Sequence, residues 1–318
     1  MTRAFRFGVT LQPIFGGRSV WSDAVKLAED CGFSTVTVMD HFSSGGIWSA
    51  LMAAHNAAPS LRLGTLVVNN ELRHPLLLAR EAIATDVLTG GRFELGIGAG
   101  WDLDDFRAVG MSRRPVPERL ERLAEALEIL SQACAGERPL FRGRHFSVDA
   151  PENWPRPQQA PIPLLVGGGG KRVLELAATV ADTISISRNM QRGPAGSWRR
   201  TATGFDGGAA RVEERLDWIR AAAGERFSQL ELHAIVNRVI VTRNPSSAAA
   251  AAGRALGLSV EDVLESPHFL VGTVEQVADT LEQRRERWGI SYWTLSSGNS
   301  PGGNSMRDFG EVIARISS

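Results

Sequence analysis

Along the chain, short runs of apolar and β-branched residues alternate with longer stretches in which apolar positions return every three or four residues. The two patterns belong to different elements. A strand buried on both faces reads as a continuous apolar run, whereas an amphipathic helix repeats at i, i+3, i+4 and i+7. On that basis the sequence predicts strands at 5–11, 35–39, 61–68, 93–97, 164–166, 183–187, 232–242 and 292–296. It predicts helices at 21–31 (with Ser19 as cap), 47–57, 76–88, 118–134, 171–180, 211–223, 246–256 and 273–288, and a last helix toward the C-terminus. The helix at 118–134 has the clearest period, with Leu120, Leu123, Leu127, Leu130 and Cys134 separated by charges. Thr273 and Gln276 stand in capping-box register. Residues 141–148 read as a hairpin, and 188–208 as an irregular loop rich in Gly, Ser and Arg.

Eight strands alternating with helices call for a parallel sheet, and the count and length suit a closed barrel. We therefore expect an α/β fold, one (β/α)8 TIM barrel domain over 1–318 with insertions at the C-terminal rim. An open doubly wound sheet is the alternative. It needs a nucleotide fingerprint at the first βα turn, which Gln12-Pro-Ile-Phe-Gly-Gly17 does not supply. The Pro-rich stretch ending at Pro163 is read as a connection rather than a domain linker, because the alternation resumes directly after it.

Composition narrows the class. Charged residues at 22% and hydrophobic residues at 43% fit a globular protein and exclude a disordered chain. A formal net charge of +0 gives no basic excess to hold nucleic acid or an anionic membrane. No apolar run approaches the roughly 20 residues of a membrane helix, and the first residues lack the apolar core of a signal peptide. A cytoplasmic protein is the expectation. Both cysteines, Cys31 and Cys134, fall in apolar helical patterns and are expected as buried free thiols. The histidines show no metal-ligand spacing, and no metal is expected.

In a parallel barrel the loops after the strands share one face, so candidate chemistry is sought there. After the fifth strand come Gly167, Gly168, Gly169 and Gly170, then Lys171 and Arg172 opening a helix. Glycines that admit a close backbone approach, followed by a helix N-terminus, suit a phosphate; a bare tight turn is the plainer alternative. After the fourth strand, Gly96-Ile-Gly-Ala-Gly-Trp101 has the wrong spacing for a dinucleotide fingerprint. Gly98, Gly100 and Trp101 are read instead as room for a flat ring or its side chain, against a small-residue rim. Asp40 and His41 end the second strand. His41 is the candidate proton donor or acceptor and Asp40 the group that orients its ring, against a cap beside a surface histidine. Asn69, at the end of the third strand, is placed to hydrogen-bond a ring edge, against a simple polar turn before Pro75. Phe15, Phe42, Trp48 and Trp101 are possible apolar walls. The 188–208 loop, with Trp198, Arg199 and Arg200, is either a lid or disordered.

The ordered set Asp40-His41, Gly64-Thr-Leu-Val-Val-Asn-Asn70, Arg73-His-Pro75, Leu88-Thr-Gly-Gly-Arg92, Gly96–Trp101 and Gly167–Arg172 closely resembles the luciferase-like monooxygenase superfamily. Within it, the chain looks most like the branch of coenzyme F420-dependent oxidoreductases. Pro267-His-Phe-Leu-Val-Gly-Thr273 and Gly289-Ile-Ser-Tyr292 extend the likeness, which fades within 188–210. The resemblance implies F420, an 8-hydroxy-5-deazaflavin, or FMN across the barrel mouth, with its phosphate at Gly167–Arg172. It implies His41 facing the reactive ring centre, and a non-prolyl cis peptide near Val68-Asn69 or Asn69-Asn70. It departs where the family often has Glu and this chain has Asp105, so no role is assigned there. The activity implied is hydride transfer between the deazaflavin and a small organic substrate. The alternatives are oxygenation with reduced FMN from a partner flavin reductase, and a non-catalytic flavin-binding barrel. Relatives often form homodimers, and that is expected here.

Overall fold

A computed structural model describes residues 3–12, 17–189, 205–296 and 304–318. Its elements run β1 (Arg6–Leu11), α1 (Gly17–Asp30), β2 (Thr35–Val38), α2 (Ile47–Ala57), β3 (Arg62–Thr65), β4 (Val68–Asn69), α3 (Pro75–Leu88), β5 (Phe93–Gly98), α4 (Leu103–Ala108) and α5 (Val116–Cys134). There follow β6 (Leu140–Arg142), β7 (Ser147–Asp149), β8 (Leu164–Gly168), α6 (Lys171–Val180), β9 (Thr183–Ile186) and α7 (Ala209–Ala223). The chain ends with β10 (Glu231–Val236), β11 (Arg238–Val241), α8 (Pro245–Leu256), α9 (Val260–Glu265), β12 (Phe269–Gly272), α10 (Val274–Trp288), β13 (Ile290–Ser296) and α11 (Asn304–Ser317).

The barrel is closed and all-parallel. The pairings β1–β2, β2–β3, β3–β5, β5–β8, β8–β9, β9–β10, β10–β13 and β13–β1 complete the ring. Its strands are buried on both faces: β2, β5 and β9 have no exposed position. That is why they are rich in apolar and β-branched residues and show no polar solvent face. Around them helices bury one stripe each, as α5 does with Leu123, Leu127 and Leu130.

Closure places the βα connections at one mouth. Among the described residues, two longer excursions lie on that side: α4 after β5, and β11–α8–α9–β12 after β10. The predicted hairpin is present as β6–β7, but it leaves the αβ side, between α5 and β8. Its turn is held against α5 by Glu125, whose carboxylate accepts the backbone N–H groups of Arg144, His145 and Phe146 at 2.8–2.9 Å.

Several boundaries move. The expected strand 61–68 is broken into β3 and β4 around a cis Leu66–Val67 peptide, so the non-prolyl cis bond falls before Val68-Asn69 rather than at or after it. The expected strand 232–242 is two strands. β10 stays in the barrel, while β11 leaves at Asn237 to pair with β12 in a separate two-stranded sheet. Ser19 lies inside α1, which starts at Gly17, so it is not the cap. The capping box of Thr273 and Gln276 is formed at α10. Cys134 is buried and Cys31 half-buried, and both are free. Burial, with Asp182 and Asp86 nearby, pushes the Cys134 thiol up to about 12.

Candidate active site

A cavity of about 560 Å³ opens at the mouth, within the size range of a small-molecule site. Every residue expected for catalysis or cofactor binding lines it: Asp40, His41, Asn69, Gly98, Gly100, Trp101, and the run Gly167 to Arg172. They come from four different βα connections, which only the closed barrel brings together. Trp101 is the one proposed apolar wall on it. Trp48 instead packs against Phe93 with ring centroids 6.1 Å apart, Phe42 is 56% exposed on the surface, and Phe15, Trp198, Arg199 and Arg200 lie outside the described residues.

One side of the cavity is acid–base. His41 Nδ1 stands 2.6 Å from Asp105 Oδ2, and the other oxygen of Asp105 accepts the Phe42 N–H at 3.0 Å. The Trp101 ring meets the imidazole edge-on, with centroids 5.7 Å apart. The orienting carboxylate is therefore Asp105, not Asp40. Asp40 points elsewhere: it takes both ends of the Arg73 guanidinium and the backbone N–H of Asn69 at 2.9 Å. It fixes the loop after β4, and that engagement leaves it no role on the ring. Asp105 is buried on α4, a six-residue helix capped by Asp102. The resemblance marks its position, where the family often has Glu, but the shorter carboxylate is assigned no role there. Asp102 Oδ2 is 3.8 Å from the same His41 nitrogen, and the three side chains offer ligand atoms within 4.8 Å of one another.

The floor of this side is rigid. Asn69 is buried and its Oδ1 accepts the Glu71 N–H at 3.0 Å, which leaves its amide NH2 as donor. Glu71 in turn binds Arg114 at 2.8 Å and Arg122 at 2.9 Å. Arg119, buried on α5, donates to the carbonyls of Ala99, Gly100 and Arg114. Desolvation, with Arg113 nearby, holds its guanidinium below the usual range. Gly100 has φ +71°, and a Cβ there would fall 2.1 Å from Asn69 Oδ1. A Cβ on Gly98 would meet Val67 at 3.0 Å. The space these two glycines leave is thus filled by Asn69 and Val67, so packing within the protein already requires both to be small.

The opposite side is an anion cradle. α6 starts at Gly170 with no side-chain cap. Leu174 N–H already returns to the Gly170 carbonyl, so the N–H groups of Lys171, Arg172 and Val173 are the terminal donors of the helix. The four glycines before it differ. A Cβ on Gly168 would strike Val173 at 2.4 Å, and one on Gly169 would strike the Arg188 backbone at 2.4 Å. A Cβ on Gly170 would meet only Asn189 Nδ2, at 3.6 Å. Gly168 and Gly169 are required by the fold, while Gly170 faces open space. Arg188 lines the cavity beside them. Burial lowers it to about 10, with Arg215 adding to the shift and Asp206 opposing it. His268, from the insertion before β12, also lines the cavity. Its Nδ1 donates to the Ile235 carbonyl at 2.8 Å, and burial lowers its pKa to about 3, so it is neutral.

This architecture, a closed (β/α)8 barrel, agrees with the comparisons. A profile of the luciferase-like monooxygenase family matches residues 20–256, well over half of the chain. The chain belongs to that family. Among curated proteins, it is 32% identical over 197 residues to an F420-dependent glucose-6-phosphate dehydrogenase of Microbacterium testaceum, covering 57% of this chain and 56% of that one. It is 34% identical over 151 residues to 4-hydroxyprotoasukamycin monooxygenase of Streptomyces nodosus subsp. asukaensis, covering 43% and 39%. The chain spans about half the length of the curated relatives it matches. A solved structure, the coenzyme F420-dependent tetrahydromethanopterin reductase of Methanopyrus kandleri, superimposes with a TM-score of 0.77 over 99% of this chain and 100% of that one, at 19% identity. That likeness carries the fold.

Proposed function

We propose that the chain is an F420-dependent oxidoreductase that transfers a hydride between the deazaflavin and a small organic substrate. The observation that carries this reading is the two-sided cavity: an imidazole oriented by a buried carboxylate on one wall, and an uncapped helix N-terminus on the other. The fit of the cofactor rests on the cradle. Three helix N–H groups and an unobstructed Gly170 would hold a phosphate, and the cavity has room for a ring beside it. When bound, F420 supplies a carbon that gives or takes a hydride without readily activating oxygen.

The chain's own residues supply the rest. Asp105 accepts from His41 Nδ1, which fixes the tautomer and leaves Nε2 to take the proton from a substrate hydroxyl, or to return it to a carbonyl. Asp40 acts at one remove, by holding Arg73 and Asn69. Trp101 and the apolar side chains of Met39, Val116 and Leu120 line the cavity and exclude water from that exchange. The resemblance to the F420-dependent dehydrogenase of Microbacterium testaceum supports this reading.

The Streptomyces monooxygenase relative favours a second reading, oxygenation with reduced FMN supplied by a separate reductase. Titrating the apoprotein with F420 and with FMN separates the two. F420 is expected to bind and to be reduced when an oxidisable substrate from an alcohol panel is added. Tight binding of FMN alone overturns the first reading, and binding without turnover across broad panels favours a flavin-binding protein. A homodimer in the cytoplasm is part of the proposal. No helix among the described residues is long and apolar enough to cross a membrane. The outer face of α3 leaves Leu77 52% and Leu88 63% exposed, a surface suited to a second copy, and light scattering would measure it.

A further inference from the structure

Arg215 of α7 holds the glycine run without itself lining the cavity. It is 2% exposed. Its Nε donates to the Gly169 carbonyl at 3.0 Å, and its NH1 donates to the carbonyls of Asp206 at 2.8 Å and Arg211 at 3.2 Å. Its NH2 pairs with the Asp206 carboxylate. The same Asp206 oxygen accepts the Asn189 N–H at 2.6 Å. One buried guanidinium therefore grips the turn before α6, and its partner carboxylate ties together residues 189 and 206.

The consequence follows from peptide geometry. Gly169–Gly170 is not among the cis bonds, so its C=O and N–H point in opposite directions. With the Gly169 oxygen fixed on Arg215, the Gly170 N–H points away from Arg215, which does not line the cavity, while Gly169 and Gly170 do. Behind Gly169 the packing is tight, since a Cβ there would meet the Arg188 backbone at 2.4 Å. Ser187 N–H also holds the Gly168 carbonyl at 2.9 Å. The turn thus has a fixed position, and the direction of its last N–H depends on what holds the Gly169 oxygen.

We propose that Arg215 is a positioning residue for cofactor phosphate: by holding the Gly169 carbonyl it aims the Gly170 N–H into the anion cradle, adding a donor to those of Lys171, Arg172 and Val173. This rests on the reading of Gly167–Arg172 as the phosphate site. Lysine cannot replace arginine here. An ammonium keeps charge opposite Asp206 but lacks the planar fork that reaches Asp206 and the Gly169 oxygen together.

The test compares ligands with and without phosphate: FMN against riboflavin, and F420 against its phosphate-free deazaflavin chromophore. Affinities are measured by equilibrium fluorescence for the full chain, with Tm measured in parallel. The wild type is expected to prefer the phosphate-bearing form, and Arg215→Lys to lose about tenfold of that preference, a drop in keeping with one misaimed charge-assisted donor. Affinity for the phosphate-free form is expected to stay within about twofold, since the ring wall is untouched. Asp206→Asn, which removes the charge paired with Arg215 NH2, is expected to lose part of the same preference and carries the test where Arg215→Lys folds poorly. An intact preference in Arg215→Lys, or an equal loss for both ligand forms, overturns the proposal, as does an intact preference in Asp206→Asn where Arg215→Lys folds poorly. Gly170→Val separates the two levels of inference. If the wild type has no phosphate preference, or Gly170→Val leaves it intact, the phosphate site itself is misassigned. If Gly170→Val abolishes it and Arg215→Lys does not, the cradle stands and Arg215 has no part in it.

Discussion

Two histidines in one barrel have opposite surroundings. His41, at the mouth, has its side chain 26% exposed, with Asp105 on one nitrogen and the cavity beside it. His233, inside the barrel on β10, is 0% exposed and fully engaged. Its Nδ1 lies 2.8 Å from Ser185 Oγ and its Nε2 2.8 Å from Thr294 Oγ1, and the Tyr292 ring packs edge-on at 4.5 Å. Burial, with Arg6 adding to it, pushes His233 down to about 3, so it stays neutral. Beneath it, Arg6 pairs with Glu94 and Glu231, and Tyr292 donates to Glu94 at 2.8 Å. On the proposed reading, the same residue type serves proton transfer where one nitrogen is left for a ligand, and serves packing where both are spent. The N-terminal side of the barrel is built for stability and the mouth for chemistry.

The largest effect that sharpens this contrast is expected at Asp105. Asp105→Asn leaves the fold but no longer fixes the His41 tautomer, and should lower kcat by roughly a hundredfold, at the lower end of the 10²–10⁴ that a positioned acid–base group contributes. Asp40→Asn serves as its control. It loosens Arg73 and the Asn69 loop, so it should raise KM more than it lowers kcat. Equal kcat losses in steady-state kinetics would return Asp40 to the imidazole.

Next come the glycines at the cradle. Gly170→Val should weaken binding of the phosphate-bearing cofactor about tenfold, or ~1.4 kcal/mol, with an unchanged melting temperature. Gly168→Val should do the reverse. Its side chain enters the space of Val173, which should cost ~1–3 kcal/mol of stability in denaturant unfolding. If Gly168→Val weakens cofactor binding with no loss of stability, the division between packing glycines and the open glycine is wrong.

The smallest effect belongs to His233. Its pKa in the folded chain lies well below the ordinary 6.5, so the unfolded chain binds the extra proton. The stability held by the neutral form is complete above about 6.5 and is lost as pH falls toward 3. His268 acts in the same direction over the same window. Urea midpoints measured across it should fall with pH in the wild type and fall less steeply in His233→Gln. A slope that His233→Gln leaves unchanged would show that the interior histidine is not kept neutral.

The barrel was legible because its strands are buried on both faces, so short runs rich in apolar and β-branched residues, such as 35–38 and 164–166, alternate with amphipathic helices. The breaks within strands were not legible. Residues 61–68 and 232–242 each carry mainly apolar and β-branched residues with few breaks, and the pattern does not say that Leu66–Val67 turns the chain or that β11 joins a different sheet. The mouth was legible as a set of strand ends, because a parallel barrel gathers them. What binds those ends together was not. Asp105 reaches His41 across 64 residues and Arg215 reaches Gly169 across 46, each from a helix where a charged residue reads as a solvated face. The glycines were visible, but only three-dimensional packing separates Gly168 and Gly169 from Gly170.

The central claim is that His41 carries the proton for a cofactor seated in this mouth. Anaerobic single-turnover absorbance of F420, taken with the cofactor dissociation constant on the same His41→Ala sample, tests it most directly. The account predicts an unchanged dissociation constant and a reduction rate lower by 10² to 10⁴, the contribution of a positioned acid–base group. A wild-type rate in the substituted protein, with F420 bound, would contradict it.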